Sequence, residues 1–152
     1  TSDAGGVRVP ALVRLPGRIP AGTTGTAMLS QLDLVPLALG LAGQPLPADR
    51  VLDGRDPLPA LAGQAPSPHA RLGFAYAGTT ALREGPLKLV RPAAAAPWEL
   101  YDVEADPGES RDLAAGHPDE VRRLATAHAA WVADLARDAS PRAPWTPPPR
   151  KR

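Results

Sequence analysis

Residues 7 to 15, Val7-Arg8-Val9-Pro10-Ala11-Leu12-Val13-Arg14-Leu15, place Val7, Val9, Ala11, Val13 and Leu15 on one face of a β-strand. Arg8 and Arg14 fall on the other face. No second strand follows within the first seventy residues, so the edges of this one need partners from elsewhere. Pro16-Gly17 and Pro20-Ala21-Gly22 turn the chain, and Thr23 to Thr26 make a polar link. Asp33 reads as a helix N-cap, with Pro36 at the third helical position, where its missing N–H breaks no bond. Leu34, Val35, Leu37, Ala38, Leu39 and Leu41 are apolar nearly all round, so this helix is expected to be buried, and Gly43 and Pro45 stop it. Residues 1–70 thus read as the end of a larger α/β domain with its earlier strands upstream, poorly ordered when alone.

Residues 44 to 68 are rich in Pro, Gly, Asp and Gln and predict a wrapping loop with at most one turn of helix, over Leu58 to Leu61. Beyond them the pattern changes. Leu72, Phe74 and Tyr76 alternate as a strand, Thr79 to Arg83 form a second, and Leu87 to Arg91 return antiparallel after Glu84-Gly85-Pro86. Trp98 to Val103 give a fourth. From Pro118 a helix is predicted to about Arg137, with Asp119 and Glu120 in its first turn and an apolar stripe of Val121, Leu124, His128, Trp131 and Leu135. Residues 71–138 therefore form an α+β unit, a small antiparallel sheet with one helix laid on it. Residues 139–152 are a Pro-rich basic tail that reads as disordered.

Charge excludes some functions. The chain has 17 Lys and Arg against 16 Asp and Glu, and the tail holds several of the cations, so the body offers no basic face for nucleic acid. No cysteine is present, which excludes a disulfide framework, a thiolate zinc site and a cysteine nucleophile in this chain. No apolar run approaches the roughly 20 residues of a membrane span. Twenty prolines punctuate the chain, yet Pro and Gly together stay below the roughly 25–30% that marks low-complexity disorder.

No serine sits in a nucleophile elbow. His69, His117 and His128 are isolated and read as surface, capping or core residues rather than zinc ligands. Asp102 to Glu109 imitates a calcium loop, but Pro107 stands at its sixth position, which requires Gly, and Leu113 at its twelfth, which requires Glu. It reads as a solvated acidic turn. Trp98, Tyr101 and Trp131 read as core rather than a sugar platform. Pro141-Arg142-Ala143-Pro144 matches a P-x-x-P ligand pattern in an otherwise disordered tail.

The order of segments resembles the sulfatases, the arylsulfatase-type members of the alkaline phosphatase-like superfamily. Gly5-Gly6-Val7-Arg8-Val9-Pro10 is similar to their Glu-Gly-Gly-x-Arg-x-Pro strand, and Ser30-Gln31-Leu32-Asp33-Leu34-Val35-Pro36 to their Ser-x-x-Asp-x-x-Pro-Thr helix. Leu52-Asp53-Gly54 matches a family loop. Ala81 to Leu89 resembles the hairpin of the C-terminal subdomain, and Glu99-Leu100-Tyr101-Asp102, Asp106-Pro107-Gly108-Glu109 and Asp112-Leu113 resemble its closing signature. Ala4 stands where the family usually has Glu, and Leu37 where it has Thr.

The resemblance implies the end of a sulfatase α/β domain plus its C-terminal antiparallel sheet and terminal helix. It implies a parent enzyme that hydrolyses sulfate esters, of a small molecule or a saccharide, with a formylglycine made from cysteine and a divalent cation, usually calcium. In the family pattern those groups lie upstream, as would an export signal, so no catalytic or metal-binding residue is expected here and the chain alone is expected to be inactive. Arg8, His69 and Arg91 are the expected borders of the substrate cleft. A phosphate or phosphonate ester hydrolase of the same superfamily, or a non-catalytic partner-binding module, remains open at this point.

Overall fold

The computed structural model describes residues 4–137. The P-x-x-P pattern and the tail lie outside the described residues. Four strands, β1 (Arg71–Tyr76), β2 (Thr79–Glu84), β3 (Leu87–Arg91) and β4 (Glu99–Asp102), form an antiparallel meander in the order β1-β2-β3-β4. The registers Leu82↔Leu89↔Leu100 and Arg83↔Lys88↔Tyr101 sort the side chains onto two faces. On the first face Leu82, Leu89 and Leu100 meet Leu124 of the closing helix, with Trp98, Leu113 and Val121 packed around them. Each of these leucines is fully buried and contributes about 1.5–3 kcal/mol relative to an exposed one.

Turn chemistry fixes the registers. Tyr76 pairs with Thr79, leaving Ala77 and Gly78 as a two-residue hairpin loop with φ of 49° and 86°, the double left-handed pattern of a type I′ turn. Glu84 pairs with Leu87 across Gly85 (φ 55°) and Pro86. The long helix spans Pro118–Arg137, as its capping proline and acidic first turn predict. It approaches β1 closely enough that a Cβ on Gly73 would lie 2.3 Å from the Trp131 ring. The stripe is shorter than predicted: Leu124 and His128 are buried, but Leu135 lies beyond the sheet and is half exposed.

The first half departs further from expectation. Four short helical pieces occur, α1 (Ala4–Val7), a 3-10 turn (Gln31–Asp33), α2 (Leu34–Leu41) and α3 (Leu58–Leu61), the closing helix being α4. The predicted strand 7–15 is not one: Val7 ends α1, and residues 8–15 pair with none of the described strands. A strand is held by its neighbour's hydrogen bonds, and among the described residues none is on offer. The Pro16-Gly17 turn forms as predicted, with Gly17 at φ 80° and Arg18 N–H donating to Leu15 O at 3.1 Å. Helix α2 has Pro36 buried at its third position, but Leu34 (62%), Val35 (52%) and Leu41 (44%) are exposed, so the burial predicted for it is not found.

Candidate functional site

Asp33 is where the first half becomes organised. Predicted as a side-chain cap for α2, it makes no cap bond there; Ser30 caps the preceding 3-10 turn, and Asp33 answers from the third position of a capping box. Its Oδ2 accepts from Ser30 N–H at 2.8 Å, and its Oδ1 accepts from Arg55 N–H at 2.9 Å. The imidazole Nε2 of His69 lies 2.7 Å from the same Oδ1. Both side chains of this pair are almost wholly buried. A buried carboxyl is tolerable when its oxygens are hydrogen-bonded, and these three partners occupy three of its roughly four acceptor sites. The arrangement ties the turn at residue 30, the Leu52-Asp53-Gly54 loop and the strand-leading residue His69 into one knot.

Gly54 explains why that loop needs a glycine. A Cβ there would lie 2.0 Å from the carbonyl oxygen of Leu32, which no side chain tolerates. Ser67 adds a further tie, donating to Met28 O at 2.7 Å and accepting from His69 N–H at 3.2 Å.

Next to this knot lies a cleft of about 300 Å³ lined by residues that include Thr26, Met28, Ser67, His69, Arg83 and Glu104. Arg83, on the sheet face away from α4, donates from Nε to Gly85 O at 3.0 Å and stands 3.5 Å from the Glu104 carboxylate. Burial, and then the charge of Arg8, hold its guanidinium below the ordinary arginine range. Arg8 itself donates from Nη1 to Val103 O at 2.7 Å, fastening the segment after α1 to the end of the sheet.

On the same sheet face Lys88 is buried (2% exposed) and paired with Glu109 (9%), Nζ to Oε1 at 2.7 Å. Glu109 reaches it from a left-handed backbone, φ 51°, a conformation that costs a non-glycine residue about 1–3 kcal/mol and persists where surrounding contacts impose it. Sequence reasoning missed this pair. The signal was available: a lysine between Leu87 and Leu89 in a central strand points inward on one face or the other. Tyr101 lies across from Lys88, and its hydroxyl donates to Glu99 at 2.9 Å. Burial, and then that acidic partner, push its pKa up to about 12.

Arg91, the third predicted border residue, lies elsewhere. Its register partner is Thr80, which places it on the α4 face rather than with Arg83 and Lys88. Its guanidinium stacks over the Trp98 ring at 4.6 Å. His128 of α4 meets Trp98 edge-on at 5.0 Å and hydrogen-bonds Thr80 Oγ1 at 2.5 Å. The structure thus brings Arg8 and His69 to one side of the sheet and Arg91 to the other.

The calcium-like stretch is a pair of side-chain-capped turns. Asp102 Oδ1 accepts from the N–H groups of Glu104 and Ala105, each at 3.0 Å. Asp106 Oδ2 accepts from the N–H groups of Ser110 and Arg111, at 2.8 and 2.9 Å. Those backbone bonds, led by the one from Arg111, lower the Asp106 pKa. Carboxylates committed to backbone donors in this way do not fit a calcium shell, and no group of three or more His, Asp or Glu among the described residues could hold a metal ion.

Comparison with known proteins places the fold. Its structural neighbours include sulfatases of the alkaline phosphatase-like fold. Residues 4–127 match the family described as N-sulphoglucosamine sulphohydrolase, C-terminal, and the chain belongs to that family. It is 44% identical to mouse arylsulfatase G over 91 residues, 60% of this chain and 17% of that protein. A Bacteroides thetaiotaomicron structure described under the metabolism of multiple glycosaminoglycans superposes with a TM-score of 0.61 at 27% identity, covering 73% of this chain and 26% of that one. A phosphonate monoester hydrolase from Silicibacter pomeroyi superposes with a TM-score of 0.56 at 27% identity, over 82% of this chain and 28% of its own. The chain therefore spans about 17–28% of the length of these relatives.

Proposed function

We propose that this chain is the C-terminal part of a sulfate ester hydrolase, supplying the end of the α/β domain and the C-terminal subdomain, and that it is inactive alone. The match of residues 4–127 to a sulfatase C-terminal family carries this reading. The chemistry in such an enzyme is attack on sulfur by a hydrated formylglycine beside a divalent cation, groups we assign to parts of the enzyme outside this chain. No cysteine among the 152 residues could become the formylglycine, and the acidic turns do not fit the cation.

The described residues have a scaffolding role in this reading. Asp33 and His69 hold three loops together, and Arg8 pins the segment after α1 to the sheet at Val103. Exposed Leu34, Val35 and Leu41 provide an apolar surface for the rest of the α/β domain to cover. The proposed substrate is a sulfate ester of a small molecule or saccharide, with Arg8 and His69 at the border of its cleft; Arg91, on the other sheet face, is not proposed there.

The test uses 4-nitrophenyl sulfate with calcium. The complete gene product is expected to release sulfate and the 152-residue chain to release none. Turnover by the chain alone would overturn the assignment of the reacting groups. A second reading, hydrolysis of a phosphonate ester, has the Silicibacter likeness in its favour. A complete gene product that cleaves a phenyl phosphonate ester and leaves the aryl sulfate intact would replace the first reading with the second.

A further inference from the structure

Asp53, in the loop that the knot holds, has no hydrogen bond or ion pair among the described residues. The other aspartates are engaged. Asp56, Asp102, Asp106 and Asp112 accept bonds from backbone N–H groups, and Asp49 and Asp119 meet arginines. A carboxylate held in this way is not free to turn back on its own main chain. Asp53 is exposed and uncommitted. The residue after it is Gly54, whose N–H makes no hydrogen bond among the described residues and whose missing Cβ leaves the approach to its nitrogen open.

A free carboxyl beside such a nitrogen has a direct chemical path. The Gly54 nitrogen attacks Asp53 Cγ, the amide hydrogen and a carboxyl oxygen leave with a solvent proton as water, and a five-membered succinimide closes. Water then adds to one of the two ring carbonyls. Opening at Cγ restores aspartate, whereas opening at the main-chain carbonyl leaves isoaspartate, with the chain running through Cβ and Cγ. One water is lost and one gained, and the proton returns to solvent, so no co-reactant is required. Asp56 and Asp106 are barred from this path because Pro57 and Pro107 carry no N–H.

We propose that Asp53-Gly54 is a modification site, where spontaneous isomerisation to isoaspartate frees Arg55 from Asp33 and opens the knot that orders the first half. The consequence follows from the neighbours. Gly54 is buried against Leu32, where even a Cβ would lie 2.0 Å from the carbonyl oxygen. The next amide, Arg55 N–H, donates to Asp33 Oδ1 at 2.9 Å. An isoaspartyl link inserts one methylene into the backbone immediately before these contacts, and the loop has no room to absorb it in place.

The test incubates the full 152-residue chain under native conditions at neutral pH in heavy-oxygen water, then digests it with trypsin in ordinary water. Cuts after Arg50 and Arg55 free the peptide Val51-Leu52-Asp53-Gly54-Arg55. Heavy oxygen in that peptide counts succinimide openings, and electron-transfer fragmentation separates isoaspartate from aspartate. Label and isoaspartate are expected to accumulate at Asp53 and to stay at background at Asp102 and Asp112. The Arg55 amide is expected to lose its exchange protection in the isomerised fraction, while the β2–β3 ladder keeps its own. D53E retains the charge but would have to close a six-membered ring; it is expected to lose the label with an unchanged urea midpoint. Label that appears only when the chain is held in urea would mean that the folded loop keeps Asp53 away from Gly54, and would overturn the proposal. Equal labelling at Asp102 and Asp112, label retained in D53E, or isoaspartate with Arg55 still protected would overturn it as well.

Discussion

The two halves of the chain are organised in opposite ways. Between residues 71 and 137 the core is apolar: Leu82, Leu89, Leu100 and Leu124 touch one another, with the Lys88–Glu109 pair buried on the opposite sheet face and Arg123 with Glu84 and Glu120 nearer the surface. Between residues 4 and 70 few side chains are buried, and a polar pair is among them. Asp33 and His69 are buried while Leu12, Leu34, Val35 and Val51 face solvent. Sheet and helix can hide their own apolar faces because strand pairing and α4 bring four leucines together. A short helix and loops cannot, so what order the first half has comes from side-chain-to-backbone bonds that stitch its loops. An apolar exterior on a polar knot is what the covering α/β domain proposed above would account for.

The largest effect that separates the halves is expected from L100A, which opens a cavity in the sheet core. It is expected to cost about 3 kcal/mol, read as a lower urea midpoint. The Ser30 and Arg55 amides, which bond Asp33, are expected to exchange at wild-type rates until the sheet itself opens. Simultaneous loss of protection in both places under native conditions would mean that the halves form one cooperative unit.

G54A is the converse. Its Cβ would meet the Leu32 carbonyl at 2.0 Å, so the loop must move away from Asp33, at about 2 kcal/mol locally. The Arg55 amide is expected to lose protection while the β2–β3 ladder keeps its own. If the sheet amides accelerate equally, the knot at Asp33 supports the second half as well as the first.

How much of this was legible in the sequence follows the same divide. The four strands, the hairpin turns and α4 were readable because their signals are local: alternation, Gly85-Pro86, Pro118 ahead of two acids. The Asp33 knot was not, since it joins residues 30, 33, 55 and 69, and no short-range pattern connects them. Residues 7–15 misled because alternation reports a preference for a half-buried strand, and that preference is realised only beside a partner strand. Of the expected border residues, His69 lines the cleft, Arg8 bonds Val103 O, and strand parity puts Arg91 on the other sheet face, a placement that needs the register and not the sequence alone. The Lys88–Glu109 pair was hidden by the habit of assigning lysine to the surface.

A smaller effect, confined to the second half, comes from His128. Its folded-state pKa is lowered, by burial first and by Arg91 second, from the ordinary value of 6.5. As pH falls through that ordinary value, the unfolded chain takes up a proton that the folded chain resists, so stability is lost from about pH 6.5 down to the lowered folded value and levels off below it. Urea midpoints for the sheet are expected to fall over that interval, and H128Q, which can still bond Thr80, is expected to flatten the fall. A slope unchanged in H128Q would assign the titration to another group.

The smallest expected effect is a gain. Ala77 occupies the first left-handed position of the Ala77-Gly78 hairpin at φ 49°, where its Cβ is strained and where asparagine is the favoured residue. A77N is expected to raise the stability of the sheet by about 0.5 kcal/mol, a slightly higher urea midpoint with an unchanged slope. Because the turn lies at the tip farthest in register from the β2–β3 turn and bears on no described contact of the first half, amide exchange at Arg55 is expected to stay as it is. A77N that also slowed exchange there would show that sheet stability reaches the knot, and the contrast between a self-sufficient half and a dependent one would have to be redrawn as one of degree.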